Sequence, residues 1–108
     1  MKVLDRGRLS VICSGDQSEM RELLQLLIES TGSLVARFAA AVGRSDLLEA
    51  KAVIHELRGT AYNAGALQLG TLAKRVDTEL RTAESTDSLR AYIPALNAAL
   101  HRLAAETA

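Results

Sequence analysis

The chain has 108 residues, with 13 basic and 13 acidic side chains, two histidines, one cysteine and three aromatic residues. That length allows one domain with a modest core, and zero formal net charge excludes a general nucleic-acid binder, which needs a basic surplus. One cysteine cannot close an internal disulfide, and three aromatics build no stacking platform for single-stranded bases.

Hydrophobic residues make up 48% of the chain and are mostly Ala and Leu, which favours helices. A short first helix is expected over about 5–13; Val11-Ile12-Cys13 within it is the one strand candidate. Asp16 with Glu19 forms a D-x-x-E capping box that opens a helix over 17–42. Its apolar stripe runs through Met20, Leu23, Leu24, Leu27 and Ile28, then Leu34, Val35, Phe38 and Val42. Gly32 marks a bend or a break within that stripe, and Gly43 a C-terminal stop. Asp46 with Glu49 is a second capping box, opening a helix over 46–64 that Gly65 closes.

A helix over 66–84 follows, carrying Leu69, Leu72, Val76 and Leu80. Ser85-Thr86-Asp87-Ser88 reads as a polar joint, and the last helix covers 88–105. Pro94 either bends that helix from inside or, with a start near Ile93, takes its first position. Short joints make neighbouring helices antiparallel. The expected fold is therefore all-α, an up-down four-helix bundle with a short additional N-terminal helix, and one domain over 1–108.

One helix carries chemistry. At about 100° per residue, Ala50, Val53, Ile54, Leu57, Ala61 and Ala64 fall on one face, which must be the core face. His55 points almost directly away from it. Leu48, Lys51, Arg58, Gly59 and Tyr62 share its outward face, so the imidazole meets solvent with cations at i−4 and i+3. Gly59 is costly inside a helix, by about 1 kcal/mol relative to Ala, and it lies one turn after His55. Its missing side chain clears room beside the ring for a second molecule or a phosphoryl group. The competing reading is a helical scaffold or interaction bundle with an ordinary surface histidine. Such a scaffold has no use for Gly59.

The segment His55-Glu56-Leu57-Arg58-Gly59-Thr60, then Asn63-Ala64-Gly65-Ala66, Leu69, Leu72 and Val76-Asp77, resembles the histidine-containing phosphotransfer (HPt) domain of bacterial multistep phosphorelays. His55, Leu57, Gly59, Asn63, Gly65 and Ala66 match that family's pattern in place. Arg58 stands where Lys is usual, Thr60 where Ser is usual, and Val76-Asp77 where Leu-Glu is usual. The resemblance implies that His55 takes a phosphoryl group from a receiver-domain phospho-aspartate and passes it to another receiver. In that scheme Lys51 and Arg58 offset phosphate charge, Thr60 and Asn63 orient the ring or its surroundings, and Leu48, Ala52 and Tyr62 supply docking surface. Mg2+ belongs to the partner receiver and this chain needs no cofactor, so it is a transfer intermediate and not an enzyme. The receiver can lie in the same polypeptide, as in a hybrid sensor histidine kinase with a C-terminal HPt domain.

Other patterns are negative. Cys13, His55 and His101 are too few and too scattered for a zinc site, and the seven glycines form no phosphate loop. Asp77 and Glu79 read as solvated charges, as do Lys74, Arg75 and Arg81, while Cys13 reads as a small packing residue. No stretch approaches the roughly 18 apolar residues of a membrane span, and Leu9–Cys13, interrupted by Ser10, is too short for a signal peptide. The expectation is a cytoplasmic domain without membrane contact.

Overall fold

A computed structural model describes residues 1–107; the expected domain ends one residue later, at Ala108, outside the described residues. The order is α1 (Arg6–Ile12), α2 (Gln17–Gly43), α3 (Leu47–Asn63), α4 (Leu67–Leu80), a 3-10 turn at Asp87–Leu89, and α5 (Tyr92–Ala105). Contacts run α2–α3, α3–α4, α4–α5 and α2–α5, closing a square. The protein is an all-α up-down bundle of four main helices, 45 × 21 × 20 Å, with α1 packed across α2. No strand occurs among the described residues; Val11 and Ile12 end α1 with their side chains in solvent.

The caps follow from aspartates at the entry points. Asp5 accepts from the Arg8 amide, Asp16 from the Ser18 and Glu19 amides, and Asp46 from the Glu49 amide. Each satisfies donors that the first turn cannot pair, a contribution of about 1 kcal/mol per cap. The other ends are more varied. α3 closes as a Schellman motif: Gly65 N–H donates to the Tyr62 carbonyl and Ala66 N–H to the Ala61 carbonyl, with Gly65 at φ +84°. α2 closes the same way, with Ser45 N–H to Val42 and Asp46 N–H to Ala41, but Ser45 holds the left-handed position at φ +58°. Gly43, the expected stop, is the last helical residue.

Gly32 does not break α2. It faces α5, where an added Cβ would stand 3.6 Å from Leu100, an ordinary van der Waals contact. The uninterrupted α2 is long and apolar enough to cross a membrane by length and composition, contrary to the expectation from the sequence. Here its apolar stripe, Leu24, Leu27, Leu34, Val35, Phe38 and Val42, is buried in the bundle.

α4 stops at Leu80, four residues before its expected end. The amides of Arg81 and Thr82 turn back to Thr78 and Glu79, tightening the last turn. The chain then plugs the bundle end. Thr86 and Leu89 are buried, and the Thr86 hydroxyl donates to the Val42 carbonyl at the end of α2 (3.4 Å). The polar joint is thus partly core. α5 starts at Tyr92, which places Pro94 third in the helix. The start lies four residues after the expected 88 and one before the alternative near Ile93, and the missing N–H of Pro94 falls among the four that a first turn leaves unpaired, so no kink is needed. Hydrogen bonding to Glu79, burial and the Glu79 charge raise the Tyr92 phenol above its usual 10.0.

Residues 1–5 strap the α3–α4 joint. Asp5 N–H donates to the Gly65 carbonyl (2.7 Å), Leu67 N–H donates to the Val3 carbonyl (3.0 Å), and Leu4 is buried. A Cβ on Gly65 would lie 2.8 Å from the Asp5 carbonyl oxygen. Gly65→Ala should therefore lower stability by about 2 kcal/mol, combining left-handed strain with displacement of the strap. Urea unfolding measures it. Ser45→Gly should act oppositely, raising stability by up to about 1 kcal/mol.

Candidate functional site

α3 packs between α2 and α4, and that sandwich decides where His55 points. Ala50, Val53, Ile54, Leu57 and Ala61 are fully buried, while Ala64 is half-buried against the core. The opposite face is therefore presented to solvent, and the His55 side chain is 79% exposed. Gly59, one turn on, is exposed, and a Cβ built there meets nothing within 4 Å. Open space therefore stands at Gly59 itself.

The neighbours are less uniform than the wheel implied. Leu48 is 81% exposed and Ala52 is also exposed, so both lie open on the His55 face. Lys51 is half-buried and has no ion-pair partner among the described residues. Arg58 is not a free cation. Its Nη1 donates to Asp77 Oδ2 at 3.0 Å across the α3–α4 contact. Thr60 is half-buried, and Asn63 is exposed as the last residue of α3. Tyr62 turns toward α4: a Cβ on Gly70 would touch its ring at 3.3 Å, and its hydroxyl lies 3.4 Å from Thr71 Oγ1. His101 is exposed on α5, away from this cluster in the sequence and without an ion-pair partner among the described residues.

Asp77 corrects the sequence reading. It is buried, at 8% exposure, and not a solvated charge. The same Oδ2 that accepts from Arg58 lies 3.6 Å from His55 Nδ1, an electrostatic contact just beyond direct hydrogen-bond length. A buried carboxylate requires a compensating partner, and Arg58 supplies it. The signal was available. Leu69, Ala73, Val76 and Leu80 form the buried stripe of α4, and Asp77 follows Ala73 by four and precedes Leu80 by three. Cys13 behaves as expected, buried with Sγ 3.0 Å from the Leu9 carbonyl.

No group of three or more His, Cys, Asp or Glu side chains that could hold a metal ion occurs among the described residues. The site is instead one exposed imidazole, an open glycine step, an apolar apron and a semi-buried Arg–Asp pair.

A model of the Hpt domain matches residues 22–106. That span covers most of the chain, and the chain belongs to the Hpt domain family. The fold is also that of a solved structure, the HPT domain from an Hpt sensor hybrid histidine kinase from Shewanella. The TM-score is 0.76 at 19% identity, over 97% of this chain and 90% of that one. No curated protein matches. Membership gives the chain a phosphotransfer role between receiver domains.

Two stability outcomes follow from the geometry. Gly59→Ala should stabilise by about 1 kcal/mol, because helix propensity improves and the added methyl meets nothing. Arg58→Met should cost about 2 kcal/mol by stranding Asp77, and adding Asp77→Asn should recover part of that loss. A double-mutant cycle should return a coupling of about 1–2 kcal/mol.

Proposed function

We propose that His55 is the phosphoryl acceptor of this domain. The observation that carries the reading is a 79%-exposed imidazole beside an open Gly59, with a fixed carboxylate facing its Nδ1. A neutral histidine has one protonated and one free ring nitrogen, and the hydrogen-bonding environment of one selects the role of the other. Asp77 favours the proton on Nδ1. The lone pair is then on Nε2, at the outer end of the ring.

The reaction is a displacement at phosphorus. The Nε2 lone pair attacks the phosphorus of a receiver's phospho-aspartate, forming the N–P bond. The acyl P–O bond breaks and the aspartate leaves as its carboxylate. No proton has to be removed: the product keeps its Nδ1 proton and carries positive charge on the ring, which Asp77 offsets. Transfer onward reverses these steps with the carboxylate of a second receiver as the attacking group. Mg2+, held by the receiver, neutralises charge on the phosphoryl oxygens.

Other residues take narrower roles. Lys51 supplies positive charge one turn before His55. Arg58 serves chiefly to hold Asp77, since its Nη1 is committed there. Thr60 and Asn63 shape the surroundings of the ring. Leu48, Ala52 and the edge of Tyr62 form the docking apron. Residues 1–108 act as a single domain in the cytoplasm, where receivers, in the same polypeptide or separate, can reach it. It binds no nucleic acid, has no membrane contact and needs no cofactor of its own.

The test is transfer from a receiver domain charged with radiolabelled phosphate. The wild-type domain should gain label that acid removes and alkali does not. His55→Gln should gain none, and His101→Gln should label normally. Label on His55→Gln equal to wild type contradicts the assignment. Gly59→Leu should keep its helix content while transferring at least about tenfold more slowly, as expected for a blocked approach.

A further inference from the structure

The His55 face is bordered on its α2 side by two carboxylates, Glu49 and Glu56, seven residues apart along one edge of α3. Glu56 directly follows His55 and is 60% exposed. Unscreened, this pair would oppose a partner that brings a phosphoryl dianion. Arg37 of α2 meets both. One guanidinium nitrogen donates to Glu49 Oε1 at 3.0 Å, and the other lies 3.9 Å from Glu56 Oε2. Arg37 remains 53% exposed, so its charge is also available to an incoming surface.

Stability does not account for this arrangement, because exposed ion pairs contribute little. Position does. On the opposite, α4 side of His55 stands Lys51, which has no ion-pair partner among the described residues; on the α2 side Arg37 meets both carboxylates. Resting on the assignment of His55 as acceptor, we propose that Arg37 is an electrostatic positioning residue for phosphotransfer. It masks Glu49 and Glu56 so that the negatively charged phosphoryl group of a receiver can approach His55. It touches neither the phosphoryl group nor the ring, and acts through encounter with the partner.

The experiment measures transfer rates from a receiver domain charged with acetyl phosphate, at about 20 mM and about 500 mM salt, where screening lengths are roughly 20 Å and 4 Å. Arg37→Ala should slow transfer by about threefold to tenfold at low salt and by less than about twofold at high salt. Adding Glu49→Gln and Glu56→Gln to Arg37→Ala should restore the low-salt rate, and Arg37→Lys should retain most of it. The melting temperature of Arg37→Ala should stay within about 3 °C of wild type. An unchanged low-salt rate overturns the inference. So does an equal loss at both salt concentrations, or a loss that the two neutralising substitutions fail to rescue. Each of these leaves His55 as acceptor intact provided wild type is labelled there. A wild-type domain that takes no label overturns the acceptor assignment, and this inference with it.

Discussion

A phosphoryl group in transit must be held by a side chain that stands clear of its own protein. In this bundle the burial of one face of α3 imposes that condition. Val53, Ile54 and Leu57 lock the helix between α2 and α4, and a helix locked on one face has no freedom to turn the other away. His55 is exposed because its neighbours at Ile54 and Leu57 are not. The caps at Asp46 and Gly65 fix where α3 begins and ends, and thereby its rotation relative to the partners. The N-terminal strap across Gly65 secures the joint between the helix that carries His55 and the helix that carries Asp77.

A second requirement is that the exposed ring keep a defined chemical orientation. Solvent alone would leave its two nitrogens interchangeable. The Asp77 carboxylate sits low on the α4 face, where water is largely excluded, and its field acts on Nδ1 more strongly than a surface charge would. Its own burial is tolerable because Arg58 compensates it from the same helix as His55. Charge and helix packing thus meet at the α3–α4 contact. Arg58 makes this contact through one guanidinium nitrogen, Nη1, where a lysine would present a compact point charge.

The sequence carried much of this through local rules. Aspartate caps, the glycine after α3 and the 3.6-residue period define four main helices and the short first one, and the same period separates His55 from the core. What it hid were effects that exist only between helices. Asp77 carries the chemistry of a surface residue, and only its register with Ala73 and Leu80 betrays its burial. Ser45, not Gly43 two residues earlier, holds the left-handed position that closes α2. α4 ends early because Thr86 and Leu89 are needed in the core, a demand that a run of Ser, Thr and Asp does not advertise. Likewise, Tyr62 shares the outward face on the wheel but finds Gly70 within reach and lies down on α4.

The central claim is that the phosphoryl group resides on the outer nitrogen of one histidine whose inner nitrogen faces a buried carboxylate. Heteronuclear magnetic resonance of the phosphorylated, nitrogen-15-labelled domain tests it most directly. The account predicts phosphorus coupling to Nε2 of His55, with the proton retained on Nδ1. Phosphorus on Nδ1, on His101 or on a carboxylate would contradict it.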